Sequence, residues 1–320
     1  MHVNRECRPG LCPGAGRMLV LALWFCLALL PSAVWSASPQ VVVVGGTGAY
    51  HHAVFTAMRR VVEQARNPRQ VVFRTVEQYL ADKTLQPALL VAVGTAAAEA
   101  LVPLPRRAPL LCVLIPRGEY AALPQQDGAA LGALFIDQPL RRYLLLARLT
   151  LPERRNVGAV LGPLSGVLAE ELRNEGQRLQ LDVHTATIES GQELAAAVEQ
   201  ASVPAGVLLA LPDPLVVNVD TARTLILSAY HRGVALVGYS QALAKAGALM
   251  AVHSTPEQLG QEAGEMVLAA LASAPLRLPP PRHPSYFSVS VNYQVARALG
   301  LDLPAEELLV RELQRQEGAR

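Results

Sequence analysis

The stretch Ala205–Ser254 constrains the fold of this chain more than any other, because it spells out one strand–helix–strand unit and begins a further strand. AGVLLALPD is a continuous apolar run closed by Pro212 and Asp213, the pattern of a strand covered on both faces, as parallel sheets require. A helix is expected directly after it. Asp213 can cap its start and Pro214 suits its first turn, while Val217, Ala222, Leu225, Ile226 and Ala229 return at helical spacing until Gly233. VALVGYS and GALMAVHS then read as two more buried strands. Ligands of open parallel sheets collect outside the carboxyl ends of the strands, which directs attention to Asp213, Tyr239 and Ser240.

The chain upstream alternates in the same way. VVVVGG reads as a strand, the next segment carries Val54, Met58, Val61 and Val62 on one helical side, and QVVFRTV, ALLVAVG and PLLCVLI follow as strands with an AAAEAL helix between the last two. This βαβαβ order predicts a parallel sheet with right-handed crossovers. GALFIDQP leads into a helix over 140–149, read as the first crossing into a second lobe, whose sheet draws on NVGAVLGPLS, LQLDVHTATI, AGVLLALPD and VALVGYS. Ser190 with Glu193, and either Ser254 with Glu257 or Thr255 with Gln258, have the spacing of capping boxes. After the latter, Leu259, Ala263, Met266, Val267 and Ala270 form an amphipathic stripe expected to return to the first lobe. LRLPPPRHP is too proline-rich for a helix or central strand, and YFSVSVN alternates as a strand.

Residues 1–38 read as an export signal. Arg5, Arg8 and Arg17 precede a 13-residue apolar core, Met18–Leu30, followed by Pro31 and small residues near Ser36–Ser38. Cys26 lies inside that core after Trp24 and Phe25, without the small residues that precede a lipidated cysteine, so an unlipidated periplasmic protein is expected. Cys7, Cys12 and Cys26 leave with the signal, and Cys112 alone cannot form an internal disulfide. Three arginines and one glutamate leave too, so 28 basic and 26 acidic residues become 25 of each, a balance that gives no electrostatic footprint for nucleic acid. The remaining 282 residues exceed what one core usually holds, which favours two lobes.

LLALPDPLVVN, HRGVALVGYSQALAKAGALMAVHSTPEQLGQEAGEMV and FSVSVNYQVARALGLDLP, in that order and spacing, resemble the solute-binding component of ABC transporters, in particular the tryptophan- and aromatic-amino-acid-binding lipoproteins. The resemblance is close over the C-terminal third and loose over the rest of the mature chain. It implies a two-lobed α/β periplasmic binding protein of type I, each lobe a parallel sheet flanked by helices, joined by a multi-strand hinge and without catalysis. The expected organisation is signal at 1–38, first lobe at 39–135, second lobe at 136–253, a return to the first lobe at 254–283, and a crossover with a C-terminal segment on the second lobe at 284–320. A small organic ligand, an amino acid among the candidates, would be captured between the lobes of a monomer and handed to an ABC permease. The alternative is a ligand-sensing or scaffolding module of the same fold acting on a signalling or outer-membrane partner. Lobe closure would hinge near Ile136, Ser254 and Ser285.

GGTG at Gly45–Gly48 could offer backbone N–H groups to a carboxylate, or be a tight turn with no ligand contact. It is not a dinucleotide fingerprint, because His51 stands at the third glycine position and no acid ends the second strand. His51 and His52 are adjacent, so they point to different sides of a helix and a metal site is not expected; no cofactor is expected either. Ser165 in GPLSG lacks the flanks of a nucleophile elbow, and no nucleophile, base and orienter assemble. The expected site is a ring of strand-end residues: Gly46, Thr47, Tyr50, Gly94, Thr95 and Ala96 from the first lobe, and Pro163, Ser165, Asp213, Tyr239 and Ser240 from the second. Hydroxyls and amides suit a carboxylate, tyrosine faces suit an apolar side chain, and Asp213 suits an ammonium or is a helix cap alone. VGT at Val93–Thr95 resembles the family's turn after its third strand, whereas VLIPRGEY replaces the family's acid-before-proline segment, and Arg117 could supply a cation there.

Overall fold

The computed structural model describes residue 2 and residues 41–124, 130–203 and 206–318; the expected export signal lies outside the described residues. Two sheets organise the chain. The first holds β1 (Val41–Gly45), β2 (Val71–Arg74), β3 (Leu89–Val93), β4 (Leu110–Ile115) and β5 (Leu131–Phe135), all parallel, in the order β2-β1-β3-β4-β5. Both faces of β1 are used. Val41 and Val43 pack toward α1 (Ala49–Glu63), whereas Val42 and Val44 pack toward α3 (Thr95–Leu101), so a run without polar alternation is the sequence such a strand needs. Short helices α2 (Val76–Ala81) and α4 (Arg117–Ala122) complete this lobe, the first capped by a Thr75–Gln78 box.

The second sheet runs β11-β10-β9-β8-β6-β7, from β6 (Asn156–Leu161), β7 (Asp182–Thr187), β8 (Val207–Leu209), β9 (Ala235–Gly238), β10 (Met250–His253) and β11 (Ser288–Val291). All pairs are parallel except β10 with β11. One face packs on α5 (Leu140–Thr150), α6 (Ala169–Arg178), α11 (Tyr293–Ala298) and α12 (Glu306–Gly318); the other packs on α7 (Leu194–Ala201), α8 (Ala222–His231) and α9 (Gln241–Ala246). GALMAVHS and YFSVSVN thus both enter this sheet, making it larger than the four strands expected. The protein is a two-lobed α/β fold built on two mainly parallel sheets.

Two local expectations are corrected, and a third is decided between its two alternatives. The helix expected from Asp213 starts only at Ala222, because residues 214–220 form turns held by Asp213 and by the Asn218 side chain, which accepts from the backbone N–H of Asp220 and Thr221. Ser190 and Glu193 bond to each other through side chains at the head of a short 3₁₀ turn rather than forming a capping box. Of the two boxes weighed before α10 (Pro256–Ala272), the Thr255–Gln258 pair forms, with Ser254 engaged elsewhere. On α1, Phe55 is buried and Val61 only half-buried.

The chain passes between the sheets after β5, after β10 and along the proline-rich segment into β11. These passages are stitched together. Gln138 Nε2 donates to Ser254 Oγ at 2.9 Å, and that hydroxyl donates to the Tyr286 carbonyl at 2.6 Å. Glu262, 1% exposed on α10, accepts from the Ser285 N–H at 2.8 Å and pairs with Arg282 at 2.9 Å. Arg142 is buried at the centre: it forms a two-pronged pair with Glu317 of α12 at 2.7 and 2.8 Å, donates to the Gln138 side chain and the Pro284 carbonyl, and stacks over Phe287 at 3.9 Å.

Helix α10 lies against α1 at a distance that only small residues permit. A Cβ on Gly260 would overlap the Val54 carbonyl and sit 2.7 Å from the Ala57 Cβ, and one on Gly264 would sit 2.7 Å from the Val61 Cβ. Gly260→Ala should therefore destabilise the protein by about 1–3 kcal/mol, although alanine is the better helix former. Urea unfolding checks this; a gain in stability would show that the helices can separate freely.

Candidate functional site

The carboxyl ends of both sheets face one cleft, bordered by the crossovers. A cavity of about 500 Å³ opens there, lined by Tyr50 of α1, Ile136 and Ser254 of the crossovers, and Tyr239, Ser240 and Lys245 of the second lobe, with Glu257 at its edge. The Tyr50 hydroxyl donates to the Ser254 carbonyl at 3.3 Å, and burial with the nearby Glu257 charge pushes its pKa up to about 12. Ser240 caps α9 through the Leu243 N–H, which fixes its hydroxyl at the cavity wall. His253 faces Ser290 at 3.0 Å, and burial lowers its pKa, so its imidazole is neutral at pH 7.

The structure brings Tyr50, Tyr239 and Ser240 of the expected ring to this cavity and places the others differently. Gly46, Gly48 and Gly94 form a seat for the His51 imidazole: a Cβ on Gly94, whose φ is +90°, would stand 2.6 Å from His51 Nε2. GGTG is therefore occupied by a side chain of its own helix, with Thr47 exposed beside it. The Thr95 hydroxyl donates to Glu119, while Ala96 is exposed at the start of α3. Pro163 is exposed on the turn after β6. Asp213 is turned inward, 3% exposed, and its carboxylate accepts from the Ser165 N–H at 2.9 Å, the Ser165 hydroxyl at 2.8 Å and the Leu215 N–H at 2.9 Å. Gly162 leaves the room for it, since a Cβ there would meet both carboxylate oxygens. Asp213 and Ser165 thus fasten two strand ends of one lobe to each other, and the carboxylate caps a turn rather than a helix.

A polar cluster of which sequence reasoning noted only Arg117 lies where β5 ends. Asp137, 5% exposed, accepts from the Arg117 N–H at 2.7 Å, and burial, its largest cause, pushes its pKa up to about 6. The Arg117 guanidinium reaches across the cleft to Glu171 of α6 at 2.8 Å, so the cation noted in the sequence is already paired. His283 Nδ1 lies 2.9 Å from the Asp137 carbonyl, and burial lowers its pKa. Burial and then Asp137 and Glu119 raise the Tyr239 pKa, which places that phenol within electrostatic reach of both acids. Asp137 sits in the expected crossover IDQP; only its burial, invisible in sequence, marks it out. Because its folded pKa is raised, the native state holds its proton over a range where the unfolded chain has lost it. Stability is then full at low pH and falls between about pH 4 and 6, by roughly 3 kcal/mol at most. Asp137→Asn, which keeps an acceptor for Arg117, should flatten that part of the pH–stability curve relative to the parent in urea melts; superimposable curves would contradict the buried-acid assignment.

The family model for ABC transporter substrate binding protein matches residues 63–315. Among solved structures, an ABC domain in complex with L-Trp from Streptococcus pneumonia is 18% identical with a TM-score of 0.60, covering 85% of this chain and 97% of that one. A ligand-free, open substrate binding protein with adhesive properties from Clostridium difficile is 17% identical with a TM-score of 0.65, covering 84% and 97%. A conserved domain protein from Vibrio cholerae is 19% identical with a TM-score of 0.60, covering 86% and 98%. No curated protein matches the sequence significantly. With two parallel-dominated sheets facing a shared cleft and a family model spanning most of its length, the chain belongs to the ABC transporter substrate binding protein family.

Proposed function

We propose that this protein captures a small organic solute of amino-acid size in the periplasm and delivers it to an ABC permease. The observation that carries this reading is the cavity of about 500 Å³ between Tyr50 on one lobe and Tyr239 on the other, a volume in the range of small-molecule sites. Its lining has the makeup such a solute needs. Two phenol faces suit an apolar body, the Ser240 hydroxyl suits orientation, and Lys245 offers a cation to a carboxylate. The pneumococcal protein of similar fold holds L-Trp, which supports a solute of that size here. Residues from both lobes and the crossovers share one cavity, so binding couples to the angle between the lobes.

A thermal-shift screen of the purified chain against amino acids, purines and small carboxylates tests the reading. At least one amino acid should raise the melting temperature, since ligand at a hundred times its Kd stabilises by about 2.7 kcal/mol. Tyr239→Ala and Tyr50→Ala should each weaken that ligand about tenfold or more. No shift with any compound, or unchanged affinity in both variants, would overturn it.

A further inference from the structure

One residue further along the crossover that gives Ile136 to the main cavity, Asp137 lines a separate void of about 10 Å³, room for a single water-sized group. First-lobe and crossover residues Arg117, Asp137, Gln138 and His283 bound one side; Leu211 closes it from the end of β8. Tyr143 of α5 also lines it. That phenol is fully buried and passes near the Gln138 backbone, yet its hydroxyl makes no hydrogen bond of ordinary geometry. A buried hydroxyl without a partner costs stability unless something fills the void.

The other polar groups there are committed. Arg117 pairs with Glu171, and the Gln138 side chain donates to Ser254 and accepts from Arg142. His283 Nδ1 is directed at the Asp137 carbonyl. Asp137 uses one carboxylate oxygen for the Arg117 N–H, its own backbone N–H also bears on the carboxylate, and among the described residues no further residue is seen to donate to it. A carboxylate oxygen, which carries charge, therefore remains as an acceptor, and the Tyr143 phenol remains as an acceptor whose own O–H is free to turn toward that carboxylate. The occupant that fits is water-sized, carries several N–H donors and is positive.

We propose that this void seats the ammonium group of the bound solute, with Asp137 as the residue that selects a cationic donor. The inference rests on the solute-binding reading above and deepens it: the body of the solute lies against Tyr239 in the main cavity, and its ammonium reaches past Ile136 into the void. Asp213, which sequence alone offered for this role, has its carboxylate saturated by Ser165 and Leu215. Burial pushes the Asp137 pKa up to about 6 despite the nearby Arg117 charge, and an ammonium would supply a closer counter-charge. Arg117 and Glu119 from α4, His283 from the proline-rich segment, Tyr143 from α5 and Tyr239 from the end of β9 are the titratable groups facing it.

Calorimetric titration of the full chain with L-tryptophan, tryptamine and indole-3-propionate at pH 7.5 separates the poles of the ligand. Tryptophan and tryptamine should bind, and indole-3-propionate should bind at least about thirtyfold more weakly than tryptophan, the range expected of a charge-assisted hydrogen bond. Asp137→Asn and Tyr143→Phe should each weaken tryptophan about tenfold or more while leaving the unfolding midpoint without ligand unchanged or higher, because Asn still offers an acceptor to the Arg117 N–H and the Tyr143 hydroxyl makes no hydrogen bond of ordinary geometry. Indole-3-propionate within threefold of tryptophan, or both variants within threefold of the parent, overturns the ammonium seat and leaves the solute-binding reading standing; water alone then fills the void. Absence of binding by all three overturns the ammonium seat as well, and the broader screen decides whether the solute-binding reading falls with it.

Discussion

The architecture turns on one buried guanidinium. Arg142 sits in the first turn of α5 with 4% of its surface exposed, and it reaches a side chain of the first crossover, a carbonyl of the third, the ring of Phe287 and the last turn of α12. A charge removed from water is costly unless its donors are used, and here three different segments supply the acceptors. Its value lies in specificity of arrangement. The passages between the sheets carry few residues, and without a shared acceptor set each could drift independently. Ser254 and Glu262 extend the same logic by accepting and donating between crossovers.

Around this anchor the cleft is electrostatically sorted. Arg117 and Glu171 close on each other across the lobes, which cancels one pair of charges and leaves Asp137 and Glu119 as an acidic pole near Tyr239. Lys245 lines the main cavity and donates to the Gln241 side chain at 3.2 Å. The acidic groups that fasten the second lobe, Asp213 above all, belong to its framework and are spent on backbone N–H groups.

The fold was legible in the sequence because parallel strands buried on both faces must be apolar throughout, and VVVVG, LLVAV and ALVG are. Caps were legible where the chemistry is local, as at Thr255. The site was legible only in part. Tyr239 and Ser240 follow a strand directly, so the rule that ligands gather at strand ends found them. Asp213 obeys the same rule and yet turns inward, because Gly162 on the neighbouring strand end opens a space and Ser165 supplies two donors, facts of tertiary packing. Asp137 and Tyr143 carry no local signature; their significance comes from burial and from a hydroxyl left without a partner. His51 shows the converse, a residue that spoiled a glycine motif in sequence and proves to be what the glycines accommodate.

If Arg142 is the anchor, removing its charge leaves Glu317, Gln138 and the Pro284 carbonyl without their shared donor. Equilibrium urea unfolding of Arg142→Met against the parent measures this directly. The account predicts a loss of about 3–5 kcal/mol. A variant within about 0.5 kcal/mol of the parent would contradict it.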